Sequence, residues 1–159
     1  MLHADPLALD SPLELALRLG LAAFLGLLLG LDREMRGHDA GIRTHALVAL
    51  SSAMIMMSSL LLFDELRTDA HSPDPLRAVQ GLSQAIGFIA AGLIFVRGGA
   101  VKNMTTAANI WVAAAIGIAC GAGQYALVLI GSGLAVLLVT MVKLLERWLP
   151  AEKKAAGED

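Results

Sequence analysis

Five apolar runs, separated by short polar stretches, constrain this chain of 159 residues more than any other feature. A helix of about 20 apolar residues covers a hydrocarbon core of about 30 Å. In lipid, only helices and closed barrels satisfy their own backbone polar groups. The runs therefore predict an all-α membrane protein, a compact bundle of about five transmembrane helices. Composition agrees: 57% of residues are hydrophobic and 16% charged, with a mean hydropathy of +0.69, more apolar and less charged than an ordinary soluble domain. The formal net charge of -2 argues against a nucleic-acid binder, and the single cysteine, Cys120, excludes an intrachain disulfide, a Cys-rich zinc site and a CxxC motif. Acidic residues, Asp5, Asp10 and Glu14, stand where a signal peptide would carry basic ones, so the first run reads as a span and not as a cleaved leader.

The first span opens at "SPLE", with Ser11 as N-cap, Pro12 at the first helical position and Glu14 reaching back in the manner of a capping box; it runs to about Leu31. Glu14 and Arg18, one turn apart, can pair. The second span covers about Thr44 to Phe63. The third starts at "DPLR", with Asp74 as cap, and continues to about Val96 before "RGG". The fourth runs from about Thr105 to Ala119, "CGAGQ" is the turn after it, and the fifth runs from about Tyr125 to Leu145. The chain thus divides into an external segment at 1–10, a transmembrane domain at 11–148 and a short cytoplasmic polar tail at 149–159 with no C-terminal soluble domain.

Orientation follows from the basic residues. Arg33, Arg36 and Arg43 follow the first span, Arg97 and Lys102 the third, and Lys143, Arg147, Lys153 and Lys154 the fifth, whereas the loop between spans two and three is acidic, with Asp64, Glu65, Asp69 and Asp74. The positive-inside tendency puts the N-terminus outside and the C-terminus in the cytoplasm. The acidic loop reads as a solvated one.

Small residues at intervals of four let helix backbones approach each other in lipid. Gly26 and Gly30 form one such pair, Ala113, Gly117 and Gly121 a longer row, and Gly131 and Ala135 another. These are either packing faces within one bundle or a docking face for another glycine-rich membrane protein. On span three, Gln80, Gln84, Gly87 and Ala91 share a stripe apart from Leu82 and Ile86; on span four, Thr105 and Asn109 share a face, with Thr106 and Trp111 nearby. Polar side chains at depth are expected to face protein or water, here through interhelical hydrogen bonds or along a solute path.

"GLDRE", "AGIRTHALVAL", "DPLR", "GFIAAGLI" and "MTTAANIWVAAAIGIACGAGQY", in this order, resemble the MgtC/SapB family of bacterial inner-membrane proteins, from about Leu19 to Tyr125. The resemblance implies a five-span protein of the inner (cytoplasmic) membrane with an external N-terminus. It also implies a link to growth in low magnesium and to survival in hosts. The best-known member is described as restraining the F-type ATP synthase and not as transporting magnesium itself. Three departures stand out: Ala90, Ala91 and Gly92 where the family tends to read Gly-Ala-Gly, Ser51 after Leu50 where it tends to read glycine, and "KNMTT" in place of a glycine-leucine before the threonines, which leaves the loop at Asn103 open.

The charged stretch "GLDREMRGHDAGIRTHALVAL" is the principal functional candidate. Its cluster comprises Asp32, Arg33, Glu34, Arg36, Arg43 and Thr44, with Arg97 from a neighbouring loop. Three readings apply: a structural network in which Asp32 and Glu34 clamp Arg43 or Arg97, a contact with a partner or anionic lipid, and a cation or proton site, which the arginines oppose. His38, His45 and His71 are scattered and read as no metal site, and no catalytic constellation is present, so no enzymatic activity and no cofactor are expected. The expected function, by resemblance, is an accessory or regulatory role in adaptation to low magnesium through contacts in the bilayer, for example with an F-type ATP synthase subunit. The alternative is a small cation transporter, magnesium or proton-coupled, acting as an oligomer that moves the cation along Gln80, Gln84, Asn109 and the Asp32 cluster.

Overall fold

The computed structural model describes residues 11–68, 72–97 and 99–148; the segment at 1–10 and the tail at 149–159 lie outside the described residues. Five helices run alternately up and down: α1 (Pro12–Met35), α2 (Ile42–Leu66), α3 (Leu76–Leu93), α4 (Met104–Gly121) and α5 (Tyr125–Trp148). By length and composition, α1, α2 and α4 can each cross a membrane. Helix α5 contributes an apolar stretch, Tyr125–Met141, and α3 is interrupted by Arg77, Gln80 and Gln84.

Local chemistry sets the ends of these helices. Ser11 caps α1 by accepting the Glu14 N–H at 3.2 Å, as "SPLE" predicts, but the Glu14 side chain does not reach back. It is fully buried and turned into the bundle, so the reciprocal half of the capping box is absent. Asp74 accepts the Leu76 N–H at 2.9 Å and so caps α3. Glycines in the left-handed region close α1 and α4. Beyond α1, Gly37 has φ +67°, and the N–H groups of Gly37 and His38 return to the carbonyls of Glu34 and Arg33. Beyond α4, Gly123 has φ +71°, and Gly123 and Gln124 return to Cys120 and Ala119. Both are Schellman closures, and the second separates α4 from α5 where "CGAGQ" predicts a turn.

Between α3 and α4 the chain forms an element that the apolar pattern does not reveal, an antiparallel hairpin of β1 (Phe95–Arg97) and β2 (Ala100–Lys102), with Val96 opposite Val101. The third span therefore ends at Leu93 and not at Val96.

Helix α4 is the centre of the bundle and touches all four others. Its Gly117 and Gly121 lie against α2: a Cβ on Gly121 would stand 2.6 Å from the Ala53 carbonyl oxygen, and one on Gly117 would meet the Ala49 carbonyl and, at 2.9 Å, Ser52 Cβ. From the opposite side, Gly26 and Gly30 of α1 press on α2, where added Cβ atoms would stand 2.7 Å from the His45 oxygen and 2.6 Å from Ile42 Cα. Helix α2 is thus held between two small-residue faces, with Ala22, Ala53, Ile110, Ala113 and Cys120 in the core they enclose. Gly26, Gly30, Ala113, Gly117 and Gly121 are consumed by packing inside the chain. Gly92 behaves otherwise: an added Cβ there meets nothing within 4 Å, so it is no packing position within this chain.

Candidate functional site

Two groups of buried polar residues occupy opposite ends of the bundle. At the end where α1 begins, Arg18 Nε donates to Glu14 Oε1 at 2.6 Å and Arg18 Nη1 to the Gly121 carbonyl at 2.9 Å. The Tyr125 hydroxyl donates to the same Glu14 oxygen at 2.5 Å. The Arg18 guanidinium fills the space beside Gly123, 2.7 Å from where a Cβ would stand. This clamp ties α1 to α4 and α5. The Glu14 and Arg18 pair was legible from their spacing, whereas Tyr125, 111 positions away, gives no local signal.

At the other end, Arg33 in the last turn of α1 is 2% exposed. Its Nη2 donates to Thr106 Oγ1 on α4, and among the described residues its Nε has no partner and it makes no ion pair. The neighbouring carboxylates also bond to other groups. Asp32 lies 2.5 Å from Arg36 Nη2, and Glu34 Oε2 accepts the Ile42 N–H at 3.0 Å, supplying the start of α2. The space for that bond exists because residue 41 is glycine: a Cβ there would collide with the Glu34 carboxylate. The expected clamp of Asp32 and Glu34 on Arg43 is not what the fold uses. Arg43 is exposed and makes no ion pair among the described residues, Thr44 is half-buried, and the side chain of Arg97 lies outside the described residues.

Other polar groups line the interior nearby. His45 is fully buried with Nδ1 2.8 Å from the Gly41 carbonyl; a carbonyl only accepts, so Nδ1 carries the proton there. Its Nε2, Ser52 Oγ and Asn109 Nδ2 have no partner among the described residues. On α4 the expected face divides: Thr106 and Asn109 turn inward, while Thr105 is exposed. Trp111 is partly exposed and packs its ring edge near Gly87 of α3, 3.5 Å from where a Cβ would be.

Helix α3 leaves the glutamines of its polar stripe outside the bundle of the single chain. Leu82 and Ile86 face the bundle, whereas Gln80 and Gln84 are exposed, as is Phe88 at 83%. Apolar burial against α4 decides the rotation of the helix, and the glutamines are left on the outward side. No cluster of three or more His, Cys, Asp or Glu side chains suited to a metal occurs among the described residues.

With this arrangement in view, comparison with known proteins identifies the scaffold. The MgtC family profile matches residues 19–148. The chain belongs to the MgtC family. Among its relatives, the "Putative magnesium transporter YhiD" of Escherichia coli K12 is 42% identical over 127 residues, 79% of this chain and 59% of the relative. Protein SrpB of Synechococcus elongatus is 37% identical over 147 residues, 86% of this chain and 80% of SrpB. Protein MgtC of Salmonella typhimurium is 40% identical over 105 residues, 65% of this chain and 42% of that protein. The chain thus spans about three fifths of the length of YhiD and less of MgtC. No solved structure matches it. The matched MgtC region includes Arg33, Thr106, His45 and both small-residue faces, while Glu14 and Arg18 precede it.

Proposed function

We propose that this MgtC-family chain is an accessory or regulatory protein of the bacterial inner membrane, acting in adaptation to low magnesium through contacts within the bilayer. Its N-terminus is outside and its C-terminus cytoplasmic, which puts the end carrying Arg33, Arg36 and Arg43 in the cytoplasm. The observation that carries this reading is the outward face of α3, where Gln80 and Gln84 stand on a helix that otherwise buries Leu82 and Ile86. Amides at membrane depth find hydrogen-bond partners in neighbouring protein, because lipid offers none. The partner is a second copy of the chain or another membrane protein, such as a glycine-rich subunit of the F-type ATP synthase. Asp32 and Glu34, in the last turn of α1, bond to Arg36 and to the start of α2, which supports contact over ion passage.

A second reading is favoured by the name of YhiD together with the same exposed glutamines. Here copies of the chain enclose a cation path lined by Gln80 and Gln84. Magnesium flux into liposomes holding the purified protein separates the two. The regulatory reading expects flux no greater than in empty vesicles, and loss of low-magnesium growth in a deletion strain carrying Gln84→Leu. Flux that Gln84→Leu or Asp32→Asn abolishes would replace it with the transport reading.

A further inference from the structure

Beside Arg33 lies a cleft of about 610 Å³ lined by Arg33, His38, Lys102, Asn103, Thr105 and Thr106, among others. We propose that this cleft is a binding site for a phosphate group, either the headgroup of an anionic phospholipid or free phosphate. Three independent features converge on it.

First, the Arg33 guanidinium is 2% exposed, is bound only through Nη2 to Thr106 among the described residues, and keeps an unpartnered Nε. A buried guanidinium with no direct ion pair among the described residues is expensive in a membrane protein, and a phosphate offers the acceptor oxygens a guanidinium fits. Second, the cleft receives the N-terminus of α4, an 18-residue helix with no side-chain cap. Asn103 occupies the cap position, yet it has φ 64°, and its amide donates at 2.7 Å to Asp39 Oδ2 and does not serve α4. The first-turn N–H groups of a helix left uncapped are a ready anion site. Third, Lys102 at the end of the hairpin brings a further positive charge to the same cleft, and the Thr105 and Thr106 hydroxyls add hydrogen-bonding groups. The Asp39 carboxylate beside the cleft is engaged by Asn103.

The remaining wall includes Leu138 and Val139 of α5, so a lipid held by its phosphate could lay an acyl chain along an apolar helix. This inference is independent of the regulatory reading, since neither a flux result nor a partner result bears on whether phosphate binds here.

The test uses the full chain in lipid nanodiscs. Lys102 and Thr105 are exposed, so Lys102→Gln and Thr105→Glu leave the packed core intact, and the second substitution puts a tethered carboxylate at the helix N-terminus. In discs of mixed phosphatidylglycerol and phosphatidylcholine, native mass spectrometry reads which lipid the protein retains. In discs of phosphatidylcholine alone, calorimetry reads binding of inorganic phosphate. Preferential retention of phosphatidylglycerol assigns the site to a lipid headgroup, and saturable phosphate binding assigns it to the free anion. In either case binding should weaken by about tenfold or more in both variants. Equal retention of the two lipids with no phosphate binding, or binding that both variants leave unchanged, overturns the proposal.

Discussion

At the scale of single residues, the two buried arginines make opposite contributions. Arg18 is neutralised by Glu14 and braced by the Gly121 carbonyl; Arg33 bonds to a hydroxyl and to no carboxylate among the described residues. Removing Glu14's charge strands Arg18, so Glu14→Gln should lower unfolding stability in detergent by about 3–5 kcal/mol. Tyr125→Phe deletes one donor to the carboxylate and should lower it by about 1–2 kcal/mol. Chemical denaturation of the two variants checks the order. Arg33→Met should go the other way. Replacing a buried charge that has no direct ion pair with an apolar side chain of similar length is expected to be neutral or mildly stabilising, while growth in low magnesium is lost. A stable variant that still complements a deletion strain would show that Arg33 has no functional role.

At the scale of helices, the packing depends on where a methyl group can be accommodated. Gly117→Ala drives a Cβ into the Ala49 carbonyl and Ser52 Cβ and should destabilise by about 1–3 kcal/mol, whereas Gly92→Ala meets open space and should be neutral or stabilise by up to about 1 kcal/mol. Thermal melts of the pair in one detergent read the difference directly. The helices and their small-residue faces were legible because both depend on short-range periodicity, and the turn at Gly123 was legible because glycine there serves a left-handed residue. The rotation of α3 was not. Its glutamine stripe asks only for protein or water, and the fit of Leu82 and Ile86 within the bundle is what sets the helix with Gln80 and Gln84 outward. The hairpin was hidden because three-residue strands carry no apolar period, although the Gly-Gly pair of "VRGGAV" is a sequence signal for a hairpin turn. The partner of Arg33 was hidden as well, because Thr106 is 73 positions away and no local pattern links them.

At the scale of the whole molecule, the fold separates a face sealed by α1, α2 and α4 from an outer face on α3. The proposed orientation has a direct check, because the native Cys120 is fully buried and leaves the background for thiol labelling low. Met35→Cys, at a position 79% exposed, should react with a membrane-impermeant maleimide only after cells are opened, and Glu65→Cys at the opposite end should react in spheroplasts. The reverse pattern would invert the protein. The central claim, that α3 presents its glutamines to another protein within the bilayer, is tested most directly by placing a photo-crosslinking amino acid at position 84 and, as a control, at Leu134, an exposed apolar position on α5. After illumination of cells grown in low magnesium, the account predicts a discrete protein adduct from position 84, with a second copy or another membrane protein, and none from position 134. Lipid adducts alone from both positions would contradict it.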